Sequence, residues 1–324
     1  MKDNTKNEKS LQHFKMLWQR YGTIGIFLLL IIILTIIKPS TVFTPSSIVQ
    51  ILRQSAVNIL LSLGEFFAIL IAGIDLSVGA VAGLTGMIAA KLMVAGVPVG
   101  AAIFVCILTG TAIGWINGTL VNKTGLHPFI ITLGTQSIFF GIMLVVSNSR
   151  NVFGFPASFS TLMNASVLFV PVPVVIALVV ALFCWFFTTK TKAGRNVYAL
   201  GGDIQSAWFS GVNVDLHRLI VFMISGTCSG IAGIVLLGRL GAAAPTAGTG
   251  YETYAIAAAI IGGTSFFGGK GKVLGVVIGG LIIGVINYGM TALTIPSSYQ
   301  KIVMGMLIII AVTIDHFVGA KNNR

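Results

Sequence analysis

The sequence predicts an all-α integral membrane protein with about ten transmembrane helices and one short helix in a loop between them. Hydrophobic residues occupy 56% of the 324 positions and charged residues only 9%, whereas soluble domains carry about 25% charged residues. The 39 glycines are expected where helix backbones approach each other closely in lipid. Because so few ionic groups cannot cover a soluble surface, the chain is predicted to lie in a bilayer.

Ten apolar runs are long enough, or nearly so, to cross the roughly 30 Å of hydrocarbon in a bilayer. We predict spans at residues 22–37, 48–72, 76–95, 98–121, 128–147, 167–187, 219–241, 251–267, 273–294 and 299–317. The first run resembles the core of a signal peptide in length, but Lys38-Pro39 follows it in place of a small-residue cleavage site. It is therefore interpreted as an uncleaved span.

The lysines and arginines predict the orientation, because cytoplasmic loops carry the excess of these residues. With both termini cytoplasmic, 14 of the 20 basic residues are cytoplasmic. The other six lie outside or near outer span ends: Lys38, Arg53, Lys91, Arg150, Arg239 and Lys301. We expect a cytoplasmic segment 1–21, one transmembrane domain 22–317 and a cytoplasmic tail 318–324. In that orientation loop 188–218 is cytoplasmic and basic, and loop 148–166 is external.

The net charge of +12 does not indicate nucleic acid, because the basic residues lie between apolar runs and not on one soluble face. Membrane lipid is the expected surrounding. Cys106, Cys184 and Cys228 lie in apolar stretches without C-x-x-C spacing, so neither a disulfide framework nor a metal site is expected. No Ser/His/Asp set, H-E-x-x-H motif or carboxylate pair indicates a catalytic residue.

The segment Phe267 to Lys272 resembles a phosphate-binding loop, G-x-x-x-x-G-K-[ST], but lacks its spacing. Lys270 would need a glycine where Thr264 stands, and Lys272 would need one where Phe266 stands. No hydroxyl residue follows either lysine. We therefore expect no cofactor in this chain and a source of energy outside it.

Three acidic residues, Glu65, Asp75 and Glu252, fall in or at the ends of predicted spans. Because a charge inside the membrane costs about 2.5 to 3.5 kcal/mol, such residues are functional candidates by default. Glu65 could lie beside a polar pathway, or it could be a structural residue that forms hydrogen bonds between helices, and the sequence favours neither. Asp75 has two possible roles. It could contact a ligand or a gate, or it could belong to a tight cytoplasmic turn in which Gly73 ends one helix and Asp75 or Ser77 caps the next.

Residues 244–252 break two apolar segments with a run of small and polar residues. Irregular backbone at membrane depth is tolerated only where it lines a cavity or is buried in protein. The break and the short span 251–267, with Gly262-Gly263 in its second half, are therefore candidates for a translocation route. An ordinary external loop is the alternative.

Loop 188–218 is predicted to contain a short amphipathic helix, which Asp203 can cap and Gly211 can end. One apolar face follows from the spacing i, i+3, i+4 and i+8 of Ile204, Ala207, Trp208 and Val212. Such a helix either lies on the membrane surface or docks into a groove on a partner protein.

Four stretches carry a family resemblance: Ala72 to Gly79; Asn117-Gly118 with Pro128-Phe129-Ile130 and Thr132-Leu133-Gly134; Gly194 to Gly202; and Pro245 to Glu252 with Ile261 to Ser265 and Gly268 to Gly271. They resemble permease subunits of bacterial ATP-binding-cassette importers for simple sugars, the ribose/xylose/galactose/allose group related to the branched-chain amino acid permeases. The resemblance covers residues 72 to about 315, and its last block is the most specific.

The resemblance implies a ten-helix subunit of the bacterial inner membrane that pairs with a second permease copy or a sister permease. It also implies two cytoplasmic ATP-binding subunits, which carry ATP-Mg, and an extracytoplasmic sugar-binding protein. The short helix in loop 188–218 would be a coupling helix that sits in a cleft of the ATPase. Its contact residues would be Asp203, Ile204, Ala207, Trp208, Phe209 and Gly211.

A translocation path for a ribose- or allose-like monosaccharide would run past polar groups within the spans. The candidates are Asn58, Glu65, Asp75, Gln136, Glu252, Asn287 and Tyr288. The uncharged ones are explained equally as interhelical hydrogen bonds worth about 0.6 kcal/mol each. The alternative function is an ion-coupled secondary transporter using Glu65 and Glu252, although the sequence halves show no convincing repeat. A passive channel or scaffold is a second rival.

Overall fold

The computed structural model describes residues 23–25, 27–38 and 44–322, which form an α-helical bundle. Helix α1 comprises residues 23–25 and 27–37. The later helices are α2 (Pro45–Leu70), α3 (Val78–Val94), α4 (Val99–Thr124), α5 (Pro128–Ser147), α6 (Ala157–Asn164), α7 (Val172–Lys190), α8 (Lys192–Gly202), α9 (Ile204–Phe209), α10 (Val214–Leu240), α11 (Tyr251–Ile261), α12 (Val273–Ala292) and α13 (Ser297–Asn322). Strands β1 (Ser166–Val167) and β2 (Val170–Pro171) form a small antiparallel hairpin before α7. The predicted segment 1–21 lies outside the described residues.

The predicted all-α membrane fold is confirmed. In the described part of the chain, α4, α5, α7, α10 and α12 are long and apolar enough to cross a membrane. Shorter apolar helices are α1, α3, α11 and a stretch of α13. Helix α2, with 26 residues, corresponds to the predicted span 48–72, so each of the ten predicted spans has a helix in the described part of the chain.

The structure corrects several predicted boundaries. The span 251–267 is helical only to Ile261, because Gly263 takes a φ of 86° and turns the chain. The span 167–187 begins in the hairpin, and its helix starts at Val172. Residues 318–322 of the predicted tail continue α13, while residues 323 and 324 lie outside the described part. Loop 188–218 holds the additional helix α8, which was not predicted.

Local sequence explains where the long helices begin and end. Pro45 opens α2 after Thr44, whose hydroxyl accepts the Ser47 N–H at 3.2 Å, and a proline in the first turn removes no helical hydrogen bond. Gly241 ends α10 in the left-handed conformation with φ 65°, which glycine adopts without steric cost. Between these ends the helices satisfy their own backbone groups, as hydrocarbon requires.

Helix α2 is the centre of the bundle, enclosed by α7, α10, α11 and α12. Every residue from Ser55 to Leu70 is buried. Small residues allow this packing: a Cβ on Gly280 of α12 would lie 2.6 Å from the Ile59 side chain of α2. The outer helices instead expose large apolar side chains such as Phe104 and Phe183, as expected of a surface that faces lipid.

Two runs of four helices, α2–α5 and α10–α13, repeat one pattern of neighbours. In this pattern α2 corresponds to α10, α3 to α11, α4 to α12 and α5 to α13. Helix α2 packs on α11 and α12, and α10 packs on α3 and α4 in the same way. Helix α3 packs on α5 as α11 packs on α13, and α2 and α10 pack on each other. The order of helix neighbours is therefore the same in the two runs. The sequence analysis missed it because the two runs share a packing arrangement and no obvious motif.

The two ends of the bundle differ in what they carry. The end with α6 and the hairpin is here called the α6 end, where Arg53 of α2 donates to the Asn164 side-chain and backbone oxygens at 2.8 and 2.9 Å. Val152 pairs there with Ala243 through backbone hydrogen bonds. The opposite end, called the α8–α9 end, carries α8, α9 and the turn 262–272.

Candidate functional site

A hydrogen-bonded cluster of polar side chains lies at the break between α2 and α3, residues 71–77. Asp75 Oδ1 accepts from the Ser77 N–H at 3.0 Å and from the Ser77 hydroxyl at 2.6 Å. Its Oδ2 accepts from the hydroxyl of Ser225 on α10 at 2.7 Å, and Glu65 Oε1 accepts the Asp75 N–H at 3.2 Å. Asp75 is 2% exposed and Glu65 is 0% exposed, so this cluster is sealed from solvent.

Two more helices hold the same break. Asn117 of α4 donates to the Ser77 hydroxyl at 2.9 Å, and Thr132 of α5 accepts the Leu76 N–H at 3.1 Å. The break is thus tied to α2, α4, α5 and α10. Because Ser225 stands near the middle of α10, Asp75 lies deep in the bundle, which disagrees with the tight cytoplasmic turn that was one of its two interpretations.

The predicted capping at this break is wrong in detail. Ala72, not Gly73, takes the left-handed conformation, with φ 56°. Gly73 lies close to α5, and a Cβ there would lie 3.1 Å from Pro128 Cγ. Ser77 makes no side-chain capping bond to α3, and Asp75 instead holds the N–H of Ser77.

The break between α10 and α11, residues 241–250, packs into the bundle beside α3. A Cβ on Gly83 would lie 2.2 Å from Ala247 O, and one on Gly79 would lie 2.3 Å from Gly248 O. Only glycines on α3 permit so close a backbone approach. The segment therefore lies against the helices and is not an ordinary external loop.

Glu252 follows this second break, in the first turn of α11. Its Oε2 lies 2.9 Å from the position that a Cβ on Gly79 would take, and the side chain of Gln136 faces its carboxyl group. Both residues are half-buried. Because Gln136 stands near the middle of α5, the pair lies near the middle of that span.

Three further side chains meet around the first turn of α11. Arg239 Nη2 donates to the Tyr251 hydroxyl at 2.8 Å, and the rings of Tyr251 and Tyr254 meet edge to face with centroids 5.6 Å apart. All three are half-buried. With Gln136 and Glu252 they form what we call the Glu252 cluster, a half-buried group with a carboxyl, an amide, a guanidinium and two phenols. Glu252 Oε2 is buried and has no hydrogen-bond partner.

The structure does not bring all seven predicted path residues together. Glu65 and Asp75 meet at the first break, and Gln136 and Glu252 meet at the second. Asn58 and Asn287 are 1% and 3% exposed on α2 and α12, two helices that pack together. Tyr288 donates to the Ser47 hydroxyl at 2.6 Å.

The predicted short helix exists as α9. The Asp203 carboxylate accepts the Ser206 N–H, which confirms its capping role, and the hydrogen bond lowers the pKa of Asp203. Gly211 follows the helix in the left-handed conformation with φ 79°. The capping residues therefore act as the sequence predicted.

The predicted apolar face of α9 divides in two. Ala207 is buried, and Val212 packs against the bundle core. Ile204, Trp208 and Phe209 are 39%, 62% and 78% exposed. The rings of Trp208 and Phe209 lie 5.0 Å apart, edge to face. These three exposed residues are called the α9 surface below.

Helix α8 connects the α9 surface to the first break. A Cβ on Gly201 would lie 1.6 Å from Leu70 O, so α8 and the end of α2 touch through backbone. Gly269 donates to Leu70 O at 2.9 Å, and Tyr198 of α8 donates to Gly271 O at 2.9 Å. Because Leu70 directly precedes the break, α8 lies in direct backbone contact with the segment that holds Asp75.

Sequence reasoning missed several residues of these clusters. Ser225 is one serine in an apolar span, and nothing in the sequence marks it. Arg239 was counted only as an outer charge, and Tyr251 only as part of the last family block. Their roles depend on helix contacts that no local pattern reveals.

Comparison with known proteins identifies relatives along almost the whole chain. Residues 47–312 match the family model described as "Branched-chain amino acid transport system / permease component". The D-allose transport system permease protein of Escherichia coli strain K12 is 55% identical, covering 97% of this chain and 96% of the relative. The ribose import permease protein of Haemophilus influenzae is 41% identical, covering 99% of each. The galactose/methyl galactoside import permease protein of Salmonella typhimurium is 34% identical, covering 97% and 98%.

No solved structure matches the chain. The relatives are named as permeases, which gives the ion-coupled alternative no support. The apolar helices and the matched family agree with the predicted resemblance. The chain therefore belongs to the family of branched-chain amino acid transport system permease components.

Proposed function

We propose that the chain is the membrane permease subunit of an ATP-binding-cassette importer and forms the path for a monosaccharide. The relatives at 55%, 41% and 34% identity are named for allose, ribose and galactose, and this supports a sugar of that class. ATP-Mg is bound and hydrolysed on two separate cytoplasmic subunits, and this chain holds no cofactor.

The observation that carries the proposal is the exposed α9 surface and its backbone connection to the first break. Two aromatic rings that are more than half exposed at the tip of a six-residue helix have the character of interface hot spots. Helix α8 carries a displacement of α9 to Leu70 and so to the break. ATP binding to the partner then biases two conformations of the permease by the difference in the partner's affinity for them.

The Glu252 cluster is the proposed contact for the solute. A carboxyl, an amide and a guanidinium can exchange hydrogen bonds with neighbouring sugar hydroxyls, and the two phenol rings offer apolar faces. Polar groups at mid-depth are costly against lipid, so this face must border an aqueous path. A second permease copy, or a sister permease, supplies the opposite wall of that path.

The remaining partners are assigned by the two ends of the bundle. The α8–α9 end is proposed to face the cytoplasm, where the ATP-binding subunits grip the α9 surface, and both termini lie on that side. The α6 end then faces outward and receives an extracytoplasmic sugar-binding protein. This orientation follows the excess of lysine and arginine in the loops of the α8–α9 end.

A copurification experiment tests the proposal. The chain is purified from its host membrane as wild type, as the double variant Trp208→Asp with Phe209→Asp, and as the control Phe169→Asp. Phe169 is 96% exposed in the hairpin of the α6 end, so the control makes the same chemical change at the opposite end.

An ATPase subunit should copurify with the wild type and with Phe169→Asp. Losing one hot-spot aromatic costs about 2 kcal/mol or more, or about 30-fold in affinity, so the double variant should lose the ATPase at an unchanged melting temperature. Retention of the ATPase by the folded double variant would contradict the proposal.

A further inference from the structure

An apolar groove opens on the outside of the bundle where α2, α7 and α10 meet. It has a volume of about 340 Å³, and its lining includes Phe67, Phe183, Phe186, Phe187 and Ile224. Phe183 and Phe186 are 70% and 55% exposed, so the groove is accessible from the surroundings of α7. The groove thus faces the lipid side of the bundle.

The lining offers little that a polar ligand could use. Thr191, at the junction of α7 and α8, also lines the groove, but its hydroxyl donates to Phe187 O at 2.6 Å. A gap beside these rings forfeits the dispersion contacts of the atoms that line it. In a bilayer a flexible acyl chain is the group available at every moment to restore them.

Two lysines stand at the edge of the groove. Lys190 ends α7 and Lys192 begins α8, so they flank the lining residue Thr191, and both are exposed. The ammonium group of Lys190 lies 5.9 Å from the ring centroid of Trp185. Basic groups at the end of a transmembrane helix, beside an apolar groove, suit an anionic lipid headgroup.

We propose that this groove binds an acyl chain of an anionic phospholipid whose headgroup is held by Lys190 and Lys192. A second copy of the chain is a poorer occupant. A two-fold contact places the same patch of both copies face to face, and this would bring four lysines together without a counter-charge. The phospholipid supplies both the apolar chain and the negative charge.

The test uses Trp185 as a reporter in the full-length chain. Trp18, Trp115 and Trp208, the other three tryptophans, are replaced by phenylalanine. The protein is placed in vesicles that contain brominated phosphatidylglycerol or brominated phosphatidylcholine with identical chains. Bromine quenches tryptophan on contact, and we expect phosphatidylglycerol to quench Trp185 at a markedly lower mole fraction than phosphatidylcholine.

Charge and groove are then changed separately. In the double variant Lys190→Gln with Lys192→Gln, the preference for phosphatidylglycerol should fall about fivefold for each lysine replaced. Each lysine contributes about 1 kcal/mol near an anionic headgroup. Lys123→Gln is the control, because Lys123 is an exposed lysine in the last turn of α4 away from the groove.

Ile224→Phe should fill part of the groove. In a chain that keeps both lysines, this variant should weaken the quenching of Trp185 by brominated phosphatidylglycerol. Leu178→Phe is its control, on the exposed face of α7 and outside the lining. Equal quenching by the two lipids, or a preference that survives loss of both lysines, would overturn the proposal. So would an equal response to Ile224→Phe and Leu178→Phe.

Discussion

The two breaks in the bundle contain similar chemistry in opposite surroundings. At residues 71–77 the acid Asp75 is 2% exposed and accepts hydrogen bonds from Ser77 and Ser225. After residues 241–250 the acid Glu252 is half-buried beside Gln136, Arg239 and two tyrosines. A buried, fully bonded carboxyl group holds helices together, whereas a half-buried one with an unbonded oxygen can meet a solute. The surroundings therefore support a structural role for the first break and agree with the proposed solute contact at the second.

The largest effect is expected at the joint between α8 and the first break. Gly201→Ala would place a Cβ 1.6 Å from Leu70 O and 2.5 Å from Gly269 N, and both are backbone atoms that cannot move aside easily. Overpacking of this kind costs about 1–3 kcal/mol. The melting temperature in detergent should fall clearly, and the ATPase contact should weaken with it.

The neighbouring Gly202 provides the control for that variant. A Cβ on Gly202 would meet no atom within 4 Å, so Gly202→Ala should leave the melting temperature and the ATPase contact unchanged. Equal behaviour of the two variants would show that α8 does not press on α2 as the structure describes.

An effect of similar size is expected at Asp75, where Ala removes the acceptor for three hydrogen bonds. Each buried donor left without a partner costs about 1–3 kcal/mol, so Asp75→Ala should lower the free energy of unfolding by about 2 kcal/mol or more. Asp75→Asn keeps one acceptor oxygen and should lose less. Thermal unfolding of the purified chain measures both, and an unaltered melting temperature for Asp75→Ala would refute the structural role of the first break.

Glu252 should respond in the opposite way. Glu252→Ala removes a half-buried group, so stability should change by no more than about 0.5 kcal/mol. Solute uptake by the assembled importer should fall about tenfold, because a hydrogen bond to a charged group contributes about 1.5–3 kcal/mol. Glu252→Gln should keep part of the uptake. A loss of stability as large as that of Asp75→Ala would remove the distinction between the two breaks.

The smallest effect is expected at Ala72, which holds a φ of 56°. A left-handed conformation costs a residue with a Cβ about 1–2 kcal/mol, and glycine pays about 0.5–1 kcal/mol in chain entropy instead. Ala72→Gly should therefore stabilise the chain by less than about 1 kcal/mol, while Ala72→Val should destabilise it. Chemical or thermal unfolding measures the signs, and a destabilising Ala72→Gly would contradict the strained turn.

The sequence was sufficient to locate the ten apolar helices and several of their ends, because hydropathy and capping residues act locally. Pro45, Pro128, Asp203 and Gly241 mark their helix termini directly. The depth of the two breaks within the bundle could not be predicted from such local signals. It depends on Gly79 and Gly83 admitting the backbone of the second break, and on Ser225 meeting Asp75 from 150 positions away.

The division of the apolar face of α9 was also beyond the sequence. Helical spacing groups Ala207 and Val212 with Trp208, but the neighbouring helices decide which of them is covered. Helix α8 was missed because its polar residues and glycines resemble a loop, and its stability comes from contacts with Phe187, Leu70 and Gly271.

Solute accumulation in proteoliposomes tests the central claim most directly. The permease is reconstituted with its ATPase subunit and the sugar-binding protein, and ATP is supplied only on the side of the ATPase. The account predicts that labelled monosaccharide accumulates when ATP is present and that the variant with Trp208→Asp and Phe209→Asp abolishes this accumulation. Accumulation without the ATPase subunit, or undiminished accumulation by that variant, would contradict it.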